Sequence, residues 1–252
     1  MEITNATALV TGANRGIGEA FVRGLVGAGA AHVYAAVRDP ASARHLETEF
    51  PGKVTAIALD VSKSEQIAPA AAAHGDVSIL VNNAGAFTHG LLIGSDTLDG
   101  AREEMEVNYF GPVALCRAFA PILARNGGGA IVNVLSVGGI VAAPNMGGYS
   151  PSKFAMRAAT MCIRAELADQ GTSVSALIVG SVDTRMAAHV QGAKEPPEVI
   201  AKAGIRAIQR GLDEIDTDRM AIETRAAQAR DPKGLERQMA KMLKVTEIST
   251  GR

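Results

Sequence analysis

The sequence predicts an α/β protein: one doubly wound domain with helices on both faces of a mostly parallel, seven-stranded sheet. Three observations carry this. Short β-branched apolar runs alternate with longer, alanine-rich segments of helical spacing over the first 180 or so residues. Most of the short runs are continuously apolar rather than alternating, as in strands buried on both faces. No linker, low-complexity tract or internal repeat interrupts the pattern, so residues 1–252 read as a single domain, of a length one large α/β unit reaches. Strand–helix alternation in turn implies right-handed crossovers and parallel pairing.

Ala6–Val10 reads as the first strand, followed by a glycine turn and a helix over Gly16–Gly27. His32–Val37 is the second strand, with a polar helix over Ala41–Phe50, and Val54–Leu59 the third, with a helix over Ser64–Ala73. Val77–Val81 is the fourth strand. A long helix over Asp99–Arg125 changes character at Gly111-Pro112, where a proline cannot donate to the helix. Ala130–Leu135, a helix over Ser150–Asp169 and Val174–Val179 complete the regular part. Beyond Gly180 the pattern thins. Thr184–Lys194 is polar and irregular, Glu195–Arg210 is a helix introduced by two prolines, and a short strand at Glu214-Ile215 precedes two helical patterns. Residues 185–252 are thus expected to form a substrate loop and a helical end.

Composition excludes several classes. Apolar residues are 47% and charged residues 20%, enough to bury a sizeable core and too apolar for a disordered chain. Lys and Arg total 25 against 26 Asp and Glu, so no global field attracts nucleic acid or an anionic membrane. Cys116 and Cys162 sit in alanine-rich stretches away from any histidine, and are expected to be small core residues rather than disulfide or metal ligands. The start MEITNATALVTG has no basic leader, and no stretch reaches roughly 18 uninterrupted apolar residues. A cytoplasmic protein without metal is the expectation.

The first strand runs into Thr11-Gly12-Ala13-Asn14-Arg15-Gly16-Ile17-Gly18. Gly12 permits a tight turn, Gly16 a close approach of backbone to a pyrophosphate, and Gly18 close helix–strand packing. The phosphate would rest on the helix N-terminus, whose free N–H groups and dipole favour an anion. About 20 residues past such a loop an acidic side chain holds a ribose 2′-hydroxyl, or an arginine a 2′-phosphate. Counting 20 from Gly18 reaches Arg38, and Arg15 projects from the loop; two guanidiniums suit a dianionic phosphate. NADP is therefore the expected cofactor, with Asp39 keeping an NAD reading open.

Asn82-Asn83-Ala84-Gly85 ends the fourth strand and Ser136 the fifth, on the sheet edge that carries the glycine loop. Tyr149 and Lys153 lie four apart at a helix entry, hence on one face. A phenol is a poor acid–base catalyst at neutral pH, and a nearby ammonium brings it towards the working range.

Together these residues resemble the short-chain dehydrogenase/reductase family, in order and over nearly the whole chain to Met186. Its glycine loop is matched by Thr11 to Gly18, its N-N-A-G element by Asn82 to Gly85, its active-site asparagine by Asn108, its serine by Ser136, and its tyrosine and lysine by Tyr149 and Lys153. The resemblance implies a Rossmann-type fold and hydride exchange between NADP(H) and a ketone, aldehyde or secondary alcohol. Tyr149 would give or take the proton, Ser136 hold the carbonyl oxygen, and Lys153 lower the tyrosine pKa and bind ribose. Asn108 would hold a water; its plainer reading is a buried polar group serving the helix disturbed by Gly111-Pro112. The cofactor set it implies is Gly12, Asn14, Arg15, Gly16, Ile17, Gly18, Arg38, Asp60, Val61, Asn82, Ala84, Gly85, Tyr149, Lys153, Gly180, Val182 and Thr184. The chain departs from the family at Val179-Gly180, where Pro-Gly is usual, and a looser backbone is expected there.

Two other readings stay open: a 3-oxoacyl-carrier-protein reductase and a catalytically silent NADP sensor. The first lacks a clear basic patch near Arg117 and Arg125, and the second is disfavoured by Ser136, Tyr149 and Lys153 all being present. The substrate pocket is expected to be lined by Ala86–Leu92, Val137–Pro144 and Arg185–Lys194, with Leu91, Val137, Ile140, Val141, Ala142 and Met186 making it apolar, and with His89 and His189 within reach of substrate. The helices carrying Ala114, Leu115, Ala118, Phe119 and Ile122, and Phe154, Ala155, Ala158, Met161 and Cys162, have more apolar surface than one face needs. A homodimer or homotetramer is expected.

Overall fold

The computed structural model describes residues 1–188 and 190–243; His189 and the residues from 244 onward lie outside it. Seven strands, β1 (Thr7–Thr11), β2 (His32–Val37), β3 (Val54–Ala58), β4 (Ile79–Asn82), β5 (Gly129–Val134), β6 (Thr172–Ile178) and β7 (Glu214–Asp216), form one sheet in the order β3-β2-β1-β4-β5-β6-β7. Every pairing among them is parallel. The order reverses between β1 and β4, and such a reversal opens a crevice at the carboxyl ends of the strands.

Successive residues of β1 serve opposite faces. Ala8 and Val10 join the core under α1 (Gly16–Gly27), α2 (Arg44–Glu49) and α7 (Pro197–Arg210), while Leu9 joins the core under α3 (Ser64–Ala73) and α5 (Gly111–Arg125). All three are fully buried, which is why the run is continuously apolar. The two helices α1 and α7 approach closely because Gly204 faces Phe21: a Cβ there would lie 2.3 Å from the ring.

The long helical stretch comes in three pieces, α4 (Asp99–Met105), a π turn (Glu106–Phe110) and α5. Pro112 has no N–H for the carbonyl of Asn108, so the i→i−4 ladder slips there. The irregularity therefore falls just before the expected Gly111-Pro112. Gly111 itself is needed because a Cβ would meet the Val61 carbonyl at 2.5 Å. By length and composition the Asp99–Arg125 stretch matches a bilayer span, yet Leu115, Phe119, Ile122 and Leu123 are buried against the sheet.

Several boundaries differ from the sequence reading. The helix expected over Ala41–Phe50 begins as a 3-10 turn, Pro40–Ala43, capped by Asp39. The helix after β5 is α6 (Tyr149–Glu166), so Tyr149 opens it. Past α7, the last two helices are α8 (Arg219–Arg230) and α9 (Pro232–Ala240), whose N-termini are capped by Asp218 and Asp231. Edge strand β7 is tied in by ion pairs from Arg157 to Glu214 at 2.9 Å and from Arg225 to Asp216 at 2.6 Å. Cys116 is buried as expected, but Cys162 is exposed: it sits on the face of α6 turned away from the sheet.

Candidate active site

Five chain segments meet at the carboxyl edge of the sheet: the loop from β1 to α1, the end of β2, the loops after β4 and β5, and the loop after β6. The first is held by Thr11 and Asn83. Thr11 Oγ1 accepts the N–H groups of Asn83 and Ala84, both at 3.0 Å, and Asn83 Nδ2 donates to the carbonyls of Thr11 at 2.9 Å and Gly12 at 3.2 Å. Neither Thr11 nor Asn83 stands out in the sequence as more than part of a motif, yet they join the β1 and β4 loops.

Gly12 and Gly16 have φ of +64° and +55°, a region that disfavours side chains. A Cβ on Gly12 would lie 3.0 Å from Ala84 Cα, one on Gly16 3.0 Å from Thr184 Cγ2, and one on Gly18 2.2 Å from the Gly12 carbonyl. Gly85 is bounded by Asn108 Oδ1 on the far side. Ile17 packs on the core beneath, and among the described residues no side chain caps the N-terminus of α1 at Arg15. A shallow cradle lined by backbone, with an uncapped positive helix end, fits a dinucleotide pyrophosphate.

The flanking residues divide into two groups. Arg15 and Arg38 are exposed, and among the described residues neither has an ion-pair partner. Asn14 lies in the same loop, half-buried. Asp39 is engaged elsewhere: its Oδ1 accepts the Ala41 N–H at 3.0 Å. Asp60 accepts from the Ser62 N–H and hydroxyl and shapes the turn after β3, where Val61 is buried. Asn82 has turned inward. Its Nδ2 donates to Asn133 Oδ1 at 2.8 Å, Asn133 donates on to Thr160 Oγ1 at 2.9 Å, and Asn82 Oδ1 is buried without a partner among the described residues. The side chain of Asn82 thus links β4, β5 and α6 across the sheet.

Ser136, Tyr149, Lys153 and Asn108 come together at the centre. Ser136 is 7% exposed, and its Oγ accepts the Gly138 N–H at 3.0 Å. Burial pushes the Tyr149 phenol up, a hydrogen bond with Ser136 pulls it down, and the charge of Glu104 pushes it up again. Lys153 lies under the tyrosine ring, Nζ 5.6 Å from its centroid, and donates to the Val134 carbonyl at 3.0 Å. Burial lowers Lys153 to about 8. The group that draws the phenol down here is Ser136, while the Lys153 ammonium is held by the backbone of β5 beneath the ring.

Asn108, 1% exposed, clamps Ala86 from both sides. Its Oδ1 accepts the Ala86 N–H and its Nδ2 donates to the Ala86 carbonyl, each at 2.9 Å, with a further bond to Ser152 Oγ at 3.0 Å. The π turn aims this side chain at the loop after β4, beyond the plainer role of mending the helix. Phe87 stacks on Tyr149 with centroids 4.9 Å apart and on His89 at 3.9 Å. Of the expected apolar lining, Ile140 is in the core with Met156 and Ile178, and Val137 packs on them. Leu91 and Met186 are exposed beside the site. His189 lies outside the described residues.

The loop after β6 carries the Val179-Gly180 departure. Val182 is buried and bridges to Glu195, and Thr184 abuts Gly16. The loop is firm, because the Gly180 N–H donates to Asp218 Oδ2 at 2.7 Å. Asp218 is a site-positioning residue that the sequence reading missed, and its only sequence signal is as a helix cap.

The short chain dehydrogenase family model matches residues 6–195. The chain belongs to the short-chain dehydrogenase family. A curated relative, dehydrogenase/reductase SDR family member 7B of Danio rerio, is 34% identical over 197 residues, 73% of this chain and 63% of that protein. The chain therefore spans under two thirds of that relative's length. A solved short chain dehydrogenase from Burkholderia cenocepacia in complex with NADP superposes with a TM-score of 0.89 at 36% identity, over 95% of this chain and 99% of that one. Another, from Burkholderia phymatum in complex with NAD, gives 0.82 at 26% identity, over 92% and 96%. As a short-chain dehydrogenase, the protein is of an oxidoreductase family, and its parallel sheet is that family's fold.

Proposed function

We propose that this short-chain dehydrogenase reduces an uncharged ketone or aldehyde with NADPH, or oxidises the corresponding secondary alcohol in reverse. The observation that supports it most is the Ser136–Tyr149–Lys153 cluster, with Ser136 and Lys153 buried and Tyr149 half-buried, beside an uncapped glycine cradle. When bound, NADPH supplies the hydride that the carbonyl carbon accepts. Tyr149 gives its phenolic proton to the carbonyl oxygen, so that hydride plus proton makes the alcohol. Ser136, whose hydroxyl acts on that phenol, steadies the oxygen as its charge grows. Lys153, poised near pH 8 and held to Val134, is placed to return a proton to the tyrosine. Arg15 and Arg38, without ion-pair partners among the described residues, are available to a 2′-phosphate, while Asp39 is committed to Ala41. Phe87, Leu91, Val141, Ala142 and Met186 offer apolar contact to substrate.

An assembly accompanies this reading. Phe154, Met161, Ala158 and Cys162 make an exposed apolar strip on α6, with Phe110 near it. A second copy covering that strip makes the protein a homodimer or homotetramer.

The test is consumption of NADPH in a panel of ketones and aldehydes. Tyr149→Phe keeps the ring and removes the proton, so turnover should fall by roughly 10² to 10⁴ while NADPH still binds. Near-normal turnover in that variant, or none by the unaltered protein with any carbonyl, overturns the reading.

A further inference from the structure

Glu104 is a carboxylate in an unusual place. It is 1% exposed, lies on the inner face of α4, and among the described residues has no cationic partner. Its Oε1 accepts the Thr88 N–H at 2.7 Å. Its Oε2 rests against the backbone just before Tyr149: a Cβ on Gly148 would lie 2.8 Å from it and 2.5 Å from Ala101 Cα. Only glycine leaves room for this contact. Among the described residues no side chain caps the N-terminus of α6, so the positive end of an 18-residue helix offsets the cost of burying the charge.

The loop after β4 needs such a strut. A cavity of about 380 Å³ is lined by parts of residues 88–98, by Gly100, Ala101 and Glu104 of α4, and by Gly147 and Gly148. The loop crosses it between the Asn108–Ala86 clamp and a backbone bridge from Gly90 to Met146. Thr88 lies between these anchors, and Phe87 beside it packs on Tyr149.

We propose that Glu104 is a positioning residue for the reaction: it holds the loop after β4 against the entry of α6 and keeps the Tyr149 phenol protonated, ready to give its proton to a carbonyl oxygen. This rests on the reductase reading above. An anion close to a phenol disfavours phenolate, and the charge of Glu104 acts on Tyr149 in that direction. The other groups facing the pair are Ser136 from the end of β5, Lys153 from α6, and His89 and Asp96 from the loop. Asp96 is the one other carboxylate among these groups, and it is Glu104 that rests against the backbone just before Tyr149.

The test separates charge from contact and needs no substrate. In a Tyr34→Phe, Tyr109→Phe background, Tyr149 is the single tyrosine of the chain, and its ionisation is read from phenolate absorbance. Glu104→Gln keeps an acceptor for Thr88 and loses the charge, so the titration should move down by about one pH unit with no faster proteolysis of loop 86–98. Glu104→Asp keeps the charge and loses reach, so the titration should stay near the original while the loop is cut faster. If the Gln variant does not fold, Glu104→Met carries the same titration test. An unmoved titration in the charge-free variant overturns the proposal. Because neither readout needs a carbonyl substrate, that failure is distinct from failure of the reductase reading. Where turnover is found, Glu104→Gln should also move the alkaline fall of kcat/KM for reduction to lower pH.

Discussion

Asp218 holds Gly180. One carboxylate oxygen accepts the Gly180 N–H at 2.7 Å and the Thr217 hydroxyl at 2.9 Å, while the other accepts the Ala221 N–H at 3.0 Å and so caps α8. The fit is tight, since a Cβ on Gly180 would lie 2.4 Å from the nearer oxygen. Where the family usually has proline before this glycine, the chain has Val179 and a buried aspartate that fixes the backbone from the side.

Removing that grip should loosen the cofactor loop and the helix together. Asp218→Ala gives up a cap and leaves the Gly180 N–H without its acceptor, a loss of about 2 kcal/mol. Thermal unfolding should begin several degrees lower, and NADPH should bind more weakly because Val182 and Thr184 follow Gly180. An unchanged melting temperature would show that the loop is held by other means.

Cofactor choice should turn on Arg38. If it and Arg15 grip a 2′-phosphate, kcat/KM with NADPH should exceed that with NADH by about tenfold or more, the worth of one charge-assisted contact. Arg38→Asp removes that contact and adds repulsion, so NADH should become the better cofactor. Equal use of both cofactors by the unaltered protein would remove the assignment.

Lys153 should cost stability in exchange for chemistry. Burial lowers it to about 8 from the ordinary 10.5, so between those values the unfolded chain binds more protons than the folded one. Stability then rises with pH across that window. The full penalty, about 3 kcal/mol, applies below pH 8 and is relieved as pH climbs towards 10.5. Lys153→Met should therefore raise the melting temperature of the cofactor-free protein at pH 7, with a gain that shrinks at higher pH, and should abolish turnover. A variant that melts lower at pH 7 would contradict this.

Assembly should depend on α6. Sedimentation at micromolar concentration should show a species larger than 26.0 kDa. Ala158→Glu puts a charge into the exposed apolar strip of α6, and across a twofold axis like charges would meet out of water, so the variant should sediment as a monomer. A single 26.0 kDa species for the unaltered protein would refute the assembly.

How much of this could be read along the chain depends on how local the causes are. Ala8, Leu9 and Val10 announce a strand buried on both sides because side chains alternate between faces and each must be apolar. Gly12, Gly16 and Gly18 announce the cradle because the backbone conformation and clearances there admit nothing larger. Tyr149 and Lys153 are legible because four residues make one helical turn. Fold class, the phosphate cradle and the central cluster were therefore determined by the sequence itself. The roles of Asn82, Asn108, Glu104 and Asp218 were decided only by tertiary structure. Each makes its deciding contact with a segment remote in sequence: Asn82 with Asn133, Asn108 with Ala86, Glu104 with Thr88 and Gly148, Asp218 with Gly180. Burial likewise is a property of the packed chain, and it, more than any neighbour in sequence, raises the phenol of Tyr149 and lowers the ammonium of Lys153.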